Sequence, residues 1–590
     1  MRSAQITWCM AILGCVTALD PTVEIKSGKL VGKSVDFSHK DVDVTRTLHV
    51  FKGIPYAEPP VGDLRFRPPQ SKAPWEGVHD ATEFGAIASS PQTSLWTSEG
   101  LRAKTVWLIH IVKEYDYIWG DLLPVMVWIY GGAFYVGAGS EHFYDGTALA
   151  AIGDVIIVTF NYRIGAFGFF VTGDEHATGN YGFLDQIEAL KWVQENIAAF
   201  GGDASRVTVF GESAGSMSAE FLMLSPLADG LFHRAIMQSG TSTMATYTGT
   251  DAALHNRIAH ALGEVLGCEK GNSEELMKCL RTVPAEKFKE PSDPHTGMIA
   301  GLVEEVEGVP FIPYVDGHFL IGKPEDLIPA KNFSKGKVDL LIGTMADEGT
   351  VVLLLLKEDM ANESDVFMSK AEYDEMFQMF LYGPLKHSPA AVDAIKLMYV
   401  DWANADSDEA NYAESFSQMQ GDQLFVCPSV MSARAYSQAG ANVYLYHMTH
   451  SPANSVFESK WMKAAHFEDV PSYSDSHFHP GEKSEMPEEE AAMSLKIMKY
   501  WTNFAKTGNP NLSCTDAENS DEDWPPFKVP GLAYKEISVG METKRGLKAT
   551  ECALWNDFIP KLLKHTDADS ICHSADDTVE KYTEEGNRPE

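Results

Sequence analysis

The sequence predicts an α/β protein with a central, mostly parallel β-sheet and helices on both faces. Two patterns favour this fold class. Continuous apolar runs at 123–130, 155–160 and 207–210 are typical of strands that are covered on both faces. Segments with helical spacing of apolar residues lie between such runs, and strands that alternate with helices indicate parallel pairing.

The individual elements carry start and stop signals. The helix predicted at 185–200 repeats apolar residues at helical spacing and ends at Gly201-Gly202. A long amphipathic helix at 488–506 ends before Gly508 and Pro510. The other predicted elements, in chain order, are a helix at 216–224, strands at 235–238 and 340–343, and a helix at 553–563.

Composition narrows the functional class. The 590 residues are 44% hydrophobic, which is enough for a large core, and the formal net charge is −36. A net charge this negative repels phosphates, so we expect no nucleic-acid partner. Two readings of the charge remain open: a self-repelling soluble protein, or an acidic field that steers cationic ligands towards a cleft.

The N-terminus has the pattern of a secretory signal peptide. Arg2 precedes an apolar stretch at 6–16, and small residues at 16–18 fit a cleavage site. We therefore expect a signal peptide at 1–18, one enzyme domain at 19–564 and an acidic, mobile tail at 565–590. No later run is long and uncharged enough for a transmembrane segment, so the sequence predicts a secreted, extracellular protein.

A secretory route permits disulfides and N-glycosylation. Two of the eight cysteines lie in the predicted signal peptide, and the others are Cys268, Cys279, Cys427, Cys514, Cys552 and Cys572. Glycosylation sequons occur at Asn332, Asn362 and Asn511.

The most informative motif is Gly211-Glu212-Ser213-Ala214-Gly215, which lies between the strand at 207–210 and the helix at 216–224. A serine on such a sharp strand-to-helix turn is raised above the sheet, and its neighbours must be small. This context predicts that Ser213 is a catalytic nucleophile.

A nucleophilic serine needs a base and an orienting acid, which follow it in the order acid, histidine on this type of turn. Asp347 and Glu348 follow the predicted strand at 340–343, and either could be the acid. The residues alone do not choose among five later histidines, which are His447, His450, His466, His477 and His479.

Hydrolysis also needs donors for the developing oxyanion. Gly131, Gly132 and Ala133 follow the strand at 123–130, where a glycine pair lets the backbone approach a ligand. Such a pair alone is more often an ordinary turn, but its combination with the serine motif favours an oxyanion hole. Ala214 N–H would add a donor.

Several motifs together resemble the type-B carboxylesterase/lipase family, which includes cholinesterases, bile-salt-activated lipase and carboxylesterases. They are spread over about 23–564 and comprise Phe51 to Ala57, Arg65-Phe66, Trp128 to Phe134, Asn161 to Arg163, Gly179 to Gly182, Ala199 to Asp203, Gly211 to Gly215 and Tyr500 to Asn511. The resemblance implies an α/β-hydrolase fold for 19–564 and a serine carboxylesterase that works through an acyl-enzyme, without metal or organic cofactor.

The resemblance also implies roles for single residues. Ser213 matches the nucleophile, Glu348 the acid and His466 the base; Asp347 is demoted. Asp469 stands at a position that is typically acidic in the family. The oxyanion-hole positions are Gly132, Ala133 and Ala214, the structural ion pair is Arg163 with Asp185, and the disulfides are Cys268–Cys279 and Cys427–Cys552.

This chain departs from the family between 86 and 118. The family's first disulfide is missing, and 101–107 stands where a Ser-Glu-Asp-Cys-Leu segment is usual. A suitable choice of codons for 102–107 would encode that segment in a shifted frame. A local frame shift and true divergence are both open, and under either one the sequence assigns no partner to Arg65.

The substrate prediction is an ester, either small or lipid. Trp96 lies near the tryptophan with which cholinesterases hold a quaternary ammonium, and Tyr135 matches a tyrosine of their gorge. Val351, Val352, Glu307 and Val309 instead replace aromatic residues of the choline and acyl pockets. We therefore expect a general carboxylesterase, with a cholinesterase-like enzyme as the alternative and a non-catalytic adhesion-type protein as a weaker one.

The resemblance also allows a homodimer. The helices at 488–506 and 553–563 resemble those that pair in family dimers. Cys572 could form an interchain disulfide, pair with Cys514 or stay free.

Overall fold

The computed structural model describes residues 20–564, apart from 40–43, 85–107, 115–121, 245–247, 269–270, 331–337, 357–364, 472–486, 513–523 and positions 304, 307, 382, 408, 454 and 458. The predicted signal peptide, the C-terminal tail and Trp96 lie outside the described residues, as do Asn332, Asn362, Cys514 and Cys572.

The described strands form a large sheet and a small one. The large sheet has eleven strands in the order β14-β13-β12-β11-β10-β9-β7-β8-β6-β4-β3, and the small sheet is β1-β2-β5. In chain order the strands are β1 Thr22–Ile25, β2 Gly28–Val31, β3 Lys33–His39, β4 Val44–Pro55, β5 Val78–Asp80, β6 Leu108–Glu114, β7 Leu123–Ile129, β8 Ile156–Phe160, β9 Gly202–Glu212, β10 Arg234–Gln238, β11 Asp339–Met345, β12 Val443–Met448, β13 Ala533–Ile537 and β14 Thr543–Arg545.

The middle of the large sheet is parallel. β8, β7, β9, β10, β11, β12 and β13 pair in parallel, whereas β3, β4 and β6 on one side and β14 on the other are antiparallel. Every residue of β7, β8 and β12 is buried, which explains the continuous apolar runs of the central strands. The prediction of an α/β fold with a mostly parallel sheet is confirmed.

Fifteen α-helices are described: α1 Thr147–Gly153, α2 Gly165–Phe169, α3 Tyr181–Asn196, α4 Ala214–Leu224, α5 Ala252–Val265, α6 Ser273–Leu280, α7 Lys289–Ser292, α8 Pro324–Leu327, α9 Thr350–Leu356, α10 Lys370–Phe380, α11 Pro389–Tyr399, α12 Ala413–Gly421, α13 Cys427–Gln438, α14 Glu488–Thr507 and α15 Ala549–Ala553. Among the described residues, none of these helices has the length and apolarity that crossing a bilayer requires.

The boundaries of all four predicted helices shift: α4 begins at Ala214 instead of 216, and α14 ends at Thr507 instead of 506. The helix predicted at 185–200 begins earlier, at Tyr181 after Asn180, and its last turn is a 3₁₀ segment at Ile197–Phe200. The helix predicted at 553–563 begins at Ala549 and contains a π-helical turn at Leu554–Phe558. A second π-helical turn, at Asp422–Val426, joins α12 to α13.

Both disulfides implied by the resemblance are present. Cys268–Cys279 closes a short loop after α5, and Cys427–Cys552 joins the start of α13 to α15 over a sequence separation of 125. Each half of the second disulfide adjoins a π-helical turn. The disulfide therefore ties these two π-helical turns together.

Candidate active site

The proposed nucleophile stands on a strained turn at the carboxyl end of β9. Ser213 has φ 57° and ψ −122°, values that a non-glycine residue adopts rarely. A Cβ on Gly215 would lie 1.9 Å from the carbonyl oxygen of Ile129, and one on Gly211 would lie 2.5 Å from the same atom. The glycines of the motif are required because β9 and its turn press against the end of β7.

The glycine turn after β7 lies beside this serine. A Cβ on Gly131 would come 3.0 Å from Ser213 Cβ. Gly132, Ala133 and Phe134 all have positive φ, at 107°, 49° and 64°. Successive residues in such conformations can point N–H groups into one concavity, which favours an anion. Within the described part of the chain, no acceptor pairs with the N–H of Gly132 or Ala133.

Glu348 and His466 are in direct contact. His466 Nδ1 lies 2.5 Å from Glu348 Oε2, and both side chains are buried. The other carboxylate oxygen of Glu348 accepts the N–H of Met345 at 2.7 Å. Glu348 is thus held by the end of β11 on one side and by the imidazole on the other, as an orienting acid must be.

The second nitrogen of His466 faces a residue that the sequence analysis did not single out. His466 Nε2 lies 2.9 Å from Oε1 of Glu212, the residue before Ser213. The alignment of this contact does not meet hydrogen-bond geometry. None of the hydrogen bonds among the described residues joins His466 to Ser213, whose side chain is half-buried. In this arrangement the imidazole therefore contacts two carboxylates.

The contacts of the imidazole shift the pKa values of His466 and Glu212. Burial opposes the charged form of His466, but the adjacent Glu212 and Glu348 carboxylates outweigh it and raise the histidine pKa. Burial raises the pKa of Glu212 to about 7, although the contact with His466 works in the opposite direction. Protonation of His466 and of Glu212 is therefore coupled, and each carboxylate stabilises the imidazolium.

An aromatic residue supports the imidazole. The Phe425 ring packs on His466 with 4.5 Å between ring centroids. Phe425 lies in the π-helical turn at 422–426, and π-helical turns are frequent at functional sites. At the start of this turn, Asp422 accepts a hydrogen bond from Tyr399 at 3.0 Å and lies 3.4 Å from Lys548 Nζ. These contacts anchor the turn that presents Phe425.

The segment after His466 is also specialised. Phe467 has φ 85°, and its buried ring packs edge-on against Phe143 and Tyr144. Asp469 is buried and accepts hydrogen bonds from Tyr446 at 2.6 Å and Gln238 at 3.0 Å. The histidine segment is thereby tied to the ends of β12 and β10.

Among the described residues, the other two histidine candidates have different partners. His447 lies within β12, where burial lowers its pKa to about 3, and its Nδ1 contacts Thr344 Oγ1. His450 contacts Glu490 at 2.9 Å. His477 and His479 lie outside the described residues. Of the three described candidates, His466 is the one in contact with Glu348.

Three of the predicted substrate-binding residues are described. Tyr135 is buried directly after the glycine turn, and Val351 is buried in α9, which begins just after Glu348. Val309 is half-buried in the loop before Phe311. Trp96 lies outside the described residues, as does Glu307.

The buried ion pair implied by the resemblance is present away from the site. Arg163 and Asp185 form two hydrogen bonds of 2.7 Å, with side chains that are almost fully buried. Arg65 donates to the carbonyl oxygens of Leu280 and Val283, near the end of α6. Among the described residues, no group of three or more metal-ligating side chains is clustered for a metal ion.

Sequence reasoning missed Glu212 and Phe425. Glu212 did have a signal in the sequence: burial of a charged residue at the end of an apolar central strand costs free energy unless the charge has a partner or a function. Phe425 had none: a phenylalanine in an apolar helical stretch is normally part of the core, and no pattern predicts a π-helical turn.

A strained serine turn after a central parallel strand, with a glycine turn and a contact between a glutamate and a histidine close by, is the arrangement found in serine hydrolases with an α/β fold.

Comparison with known proteins gives the particular family. The Carboxylesterase family model matches residues 19–555, and the chain belongs to this family. It is 33% identical over 582 residues to an acetylcholinesterase of Bungarus fasciatus, covering 95% of this chain and 91% of that protein. It is 33% identical over 578 residues to an acetylcholinesterase of Danio rerio, covering 88% and 86%. It is 34% identical over 556 residues to carboxylesterase 1D of Mus musculus, covering 92% and 94%.

The fold is therefore the α/β-hydrolase fold, and the chain is a serine carboxylic-ester hydrolase. The expectations of family, fold class and enzyme class are confirmed.

Proposed function

We propose that Ser213, His466 and Glu348 form the catalytic triad, with Gly132, Ala133 and Ala214 as the oxyanion hole. The observation that carries the proposal is the 2.5 Å contact between His466 and Glu348, close to the strained serine turn. The glycine turn lies beside the serine, and the N–H groups of Gly132 and Ala133 have no acceptor among the described residues.

In this mechanism Ser213 Oγ attacks the ester carbonyl carbon while His466 Nε2 takes the hydroxyl proton. The carbonyl oxygen becomes an oxyanion and accepts the three backbone N–H groups. His466 then protonates the departing alkoxide, which leaves as the alcohol, and an acyl-enzyme remains. Water that is deprotonated by His466 attacks the acyl carbon, and the proton returns to Ser213 as the acid leaves.

His466 must exchange its Glu212 contact for Ser213 at the start of the cycle. Glu348 stays on Nδ1 throughout, because it fixes the tautomer and stabilises the imidazolium. Glu212 remains close to Nε2 and favours the charged ring. We therefore assign Glu212 the role of stabilising the imidazolium form of His466 electrostatically.

The acyl and alcohol groups are assigned from the residues that follow the acid. Val351 and Val352 are buried at the start of α9 and present aliphatic groups. An aliphatic wall contacts neutral acyl chains through dispersion and offers no aromatic face to a quaternary ammonium. We assign neutral carboxylic esters as the preferred substrates.

A choline-ester hydrolase is the second candidate. Two similar proteins are acetylcholinesterases at 33% identity, close to the 34% of the carboxylesterase. The Glu212 carboxylate beside the base would also attract a cation.

A matched pair of substrates separates the two candidates. Butyrylcholine and 3,3-dimethylbutyl butyrate have nearly the same shape and differ in charge. The assay is run on purified enzyme with and without a serine-directed organophosphate, and mass spectrometry locates the phosphorylated residue. The triad proposal expects inhibition, a label on Ser213 and loss of turnover in a folded Ser213→Ala variant.

The kcat/KM for butyrylcholine divided by the kcat/KM for 3,3-dimethylbutyl butyrate decides the substrate class. A ratio near or below one supports a general carboxylesterase, and strong preference for the cationic ester supports the second candidate. Near-normal turnover in Ser213→Ala would refute the triad, and a folded wild-type enzyme that turns over neither ester would favour the non-catalytic reading.

Secretion and a homodimer complete the proposal. The signal-like segment at 1–18 and the two disulfides support an oxidising route. For the dimer, the C-terminal helix leaves Phe558 about half exposed, whereas α14 buries its apolar face within the subunit. Non-reducing electrophoresis and light scattering of wild type and Cys572→Ser test the dimer and its interchain bond, because an unchanged covalent dimer would exclude Cys572.

A further inference from the structure

Asp347, which loses the role of catalytic acid to its neighbour, joins the two segments that carry the acid and the base. Its Oδ2 accepts the N–H of Ala464 at 3.2 Å, and its own N–H donates to the Ala464 carbonyl oxygen at 3.0 Å. Asp347 also forms a parallel β-bridge with Ala465. The residue before Glu348 is therefore hydrogen-bonded to Ala464 and paired with Ala465, the two residues before His466.

A cation completes this connection. Lys463 Nζ lies 3.8 Å from Asp347 Oδ1 and 2.9 Å from Oε2 of Glu414 on α12. Lys463 has φ 55°, a backbone conformation that favours glycine. A lysine at this position is therefore locally unfavourable, and its contacts must stabilise it. The Asp347 carboxylate is only 12% exposed, and a charged group so covered needs a counter-ion.

The remaining bonds make the two segments one unit. Thr350 Oγ1 donates to the Asp347 carbonyl oxygen at 2.7 Å, which fixes the loop at the start of α9. Glu348 is held by Met345 N–H and by the imidazole. Asp347, by contrast, holds the backbone: in the described contacts it touches neither the imidazole nor the serine.

We propose that Asp347, with Lys463 as its counter-ion, is a positioning residue that sets the distance between Glu348 and His466. This inference rests on the proposed triad. The reason is geometric: His466 must turn its Nε2 towards Ser213 while Nδ1 stays on Glu348. The rotation brings Nε2 to the right position only if the backbone of 464–466 is fixed to the backbone of 345–348. Small misplacements of catalytic groups lower the rate by large factors.

The first test compares Asp347→Ala with Asp347→Asn. Alanine removes the acceptor for Ala464 N–H, so we expect kcat to fall by about 10- to 100-fold while KM stays within about twofold. Asparagine keeps an acceptor oxygen at the same place, so most of kcat should return. Rates are expressed per active site by organophosphate titration, which removes the contribution of unfolded protein.

The matched control is Asp203→Ala. Asp203 also accepts a backbone N–H, from Ser205 at 2.8 Å, and pairs with a cation, Arg206, but it lies at the start of β9, away from the site. We expect its kcat per site to equal that of wild type.

Lys463→Met is a second, milder variant for the case in which Asp347→Ala does not fold. The lysine side chain is about half exposed, so the protein should tolerate its loss, and we expect a smaller fall in kcat of about threefold.

Three outcomes overturn the positioning role. The first is full kcat per site in Asp347→Ala, and the second, if that variant does not fold, is full kcat per site in Lys463→Met. An Asp347→Asn variant as impaired as Asp347→Ala also overturns it, because the hydrogen bond would then be irrelevant. Ser213→Ala is measured alongside. If Ser213→Ala keeps its turnover, the triad itself fails; if it is inactive while Asp347→Ala is normal, only the positioning role fails.

Discussion

His466 Nε2 lies 2.9 Å from Glu212 Oε1, on the side of the imidazole opposite its bond to Glu348. The histidine is thus placed between two buried carboxylates that both favour its protonated form. The proposed general base must be neutral to accept a proton, so we expect this arrangement to set the pH at which the enzyme becomes active.

Glu212→Gln should move the acid limb of the pH profile to lower pH. Because the pKa of His466 is raised, the imidazole becomes neutral, and able to act as a base, only as the pH rises through this raised pKa. Removal of one carboxylate lowers the histidine pKa, so the base is available at lower pH, by a shift of about one unit. The measurement is kcat/KM against pH for a neutral ester.

Glu220→Gln is the matched control for this shift. Glu220 is a second buried glutamate of the same region, on α4, and its carboxylate accepts bonds from Ser242. Its replacement should leave the midpoint unchanged. An unshifted midpoint in Glu212→Gln would show that the contact does not govern the base.

Replacement of Phe425 should lower kcat per active site. Phe425→Ala removes the ring that packs on the imidazole, and we expect about a tenfold loss, with most of it restored in Phe425→Leu. Phe416→Ala in α12 is the control, since it removes a buried ring that packs on Phe380 instead. Both alanine variants should lose about 3–5 kcal/mol of stability. Equal kcat per site in both would contradict a role for Phe425 at the base.

The two disulfides should contribute unequally to stability. Removal of Cys427–Cys552, with a separation of 125, should cost about 5 kcal/mol in the chain-entropy model, whereas removal of Cys268–Cys279, with a separation of 11, should cost about 3 kcal/mol. Denaturant unfolding of the paired serine variants measures both. Because Cys427 directly follows the π-helical turn of Phe425, removal of Cys427–Cys552 should also lower kcat per site.

The Arg163–Asp185 pair should be costly to break and cheap to replace. Asp185→Asn leaves an almost fully buried guanidinium without its charge partner, and we expect a loss of about 3–5 kcal/mol. The double variant Arg163→Met with Asp185→Leu removes both charges and should lie closer to wild type in urea unfolding. A double variant that is less stable than Asp185→Asn would argue that the charges themselves stabilise the fold.

Sequence patterns predicted the parallel core and the serine turn because both depend on local chemistry. The apolar runs of β7, β8 and β9 follow from burial on both faces, and the glycines around Ser213 follow from the clash with Ile129. Residue patterns could not choose among five histidines, since spatial neighbours far apart in sequence leave no periodic signal. The family resemblance made that choice.

The surroundings of the imidazole were beyond sequence reasoning. The π-helical turn that brings Phe425 to His466 has no sequence signature, and the positive φ of Phe467 and Lys463 contradicts their residue types. Such conflicts between local preference and observed backbone are typical of functional sites, where surrounding contacts decide the conformation.

The β-bridge between Asp347 and Ala465 also bears on how this chain could change during evolution. The histidine segment takes its place from the acid loop, and the described part of the connection from β12 to Ser459 contains no helix or strand and exposes Thr449, Ser451 and Ala453. Natural insertions or deletions between β12 and Ser459 could therefore accumulate without moving the base, as surface loops tolerate changes of length. The short run from Lys463 to His466 has no such freedom, so we expect its length to be the same in every active descendant.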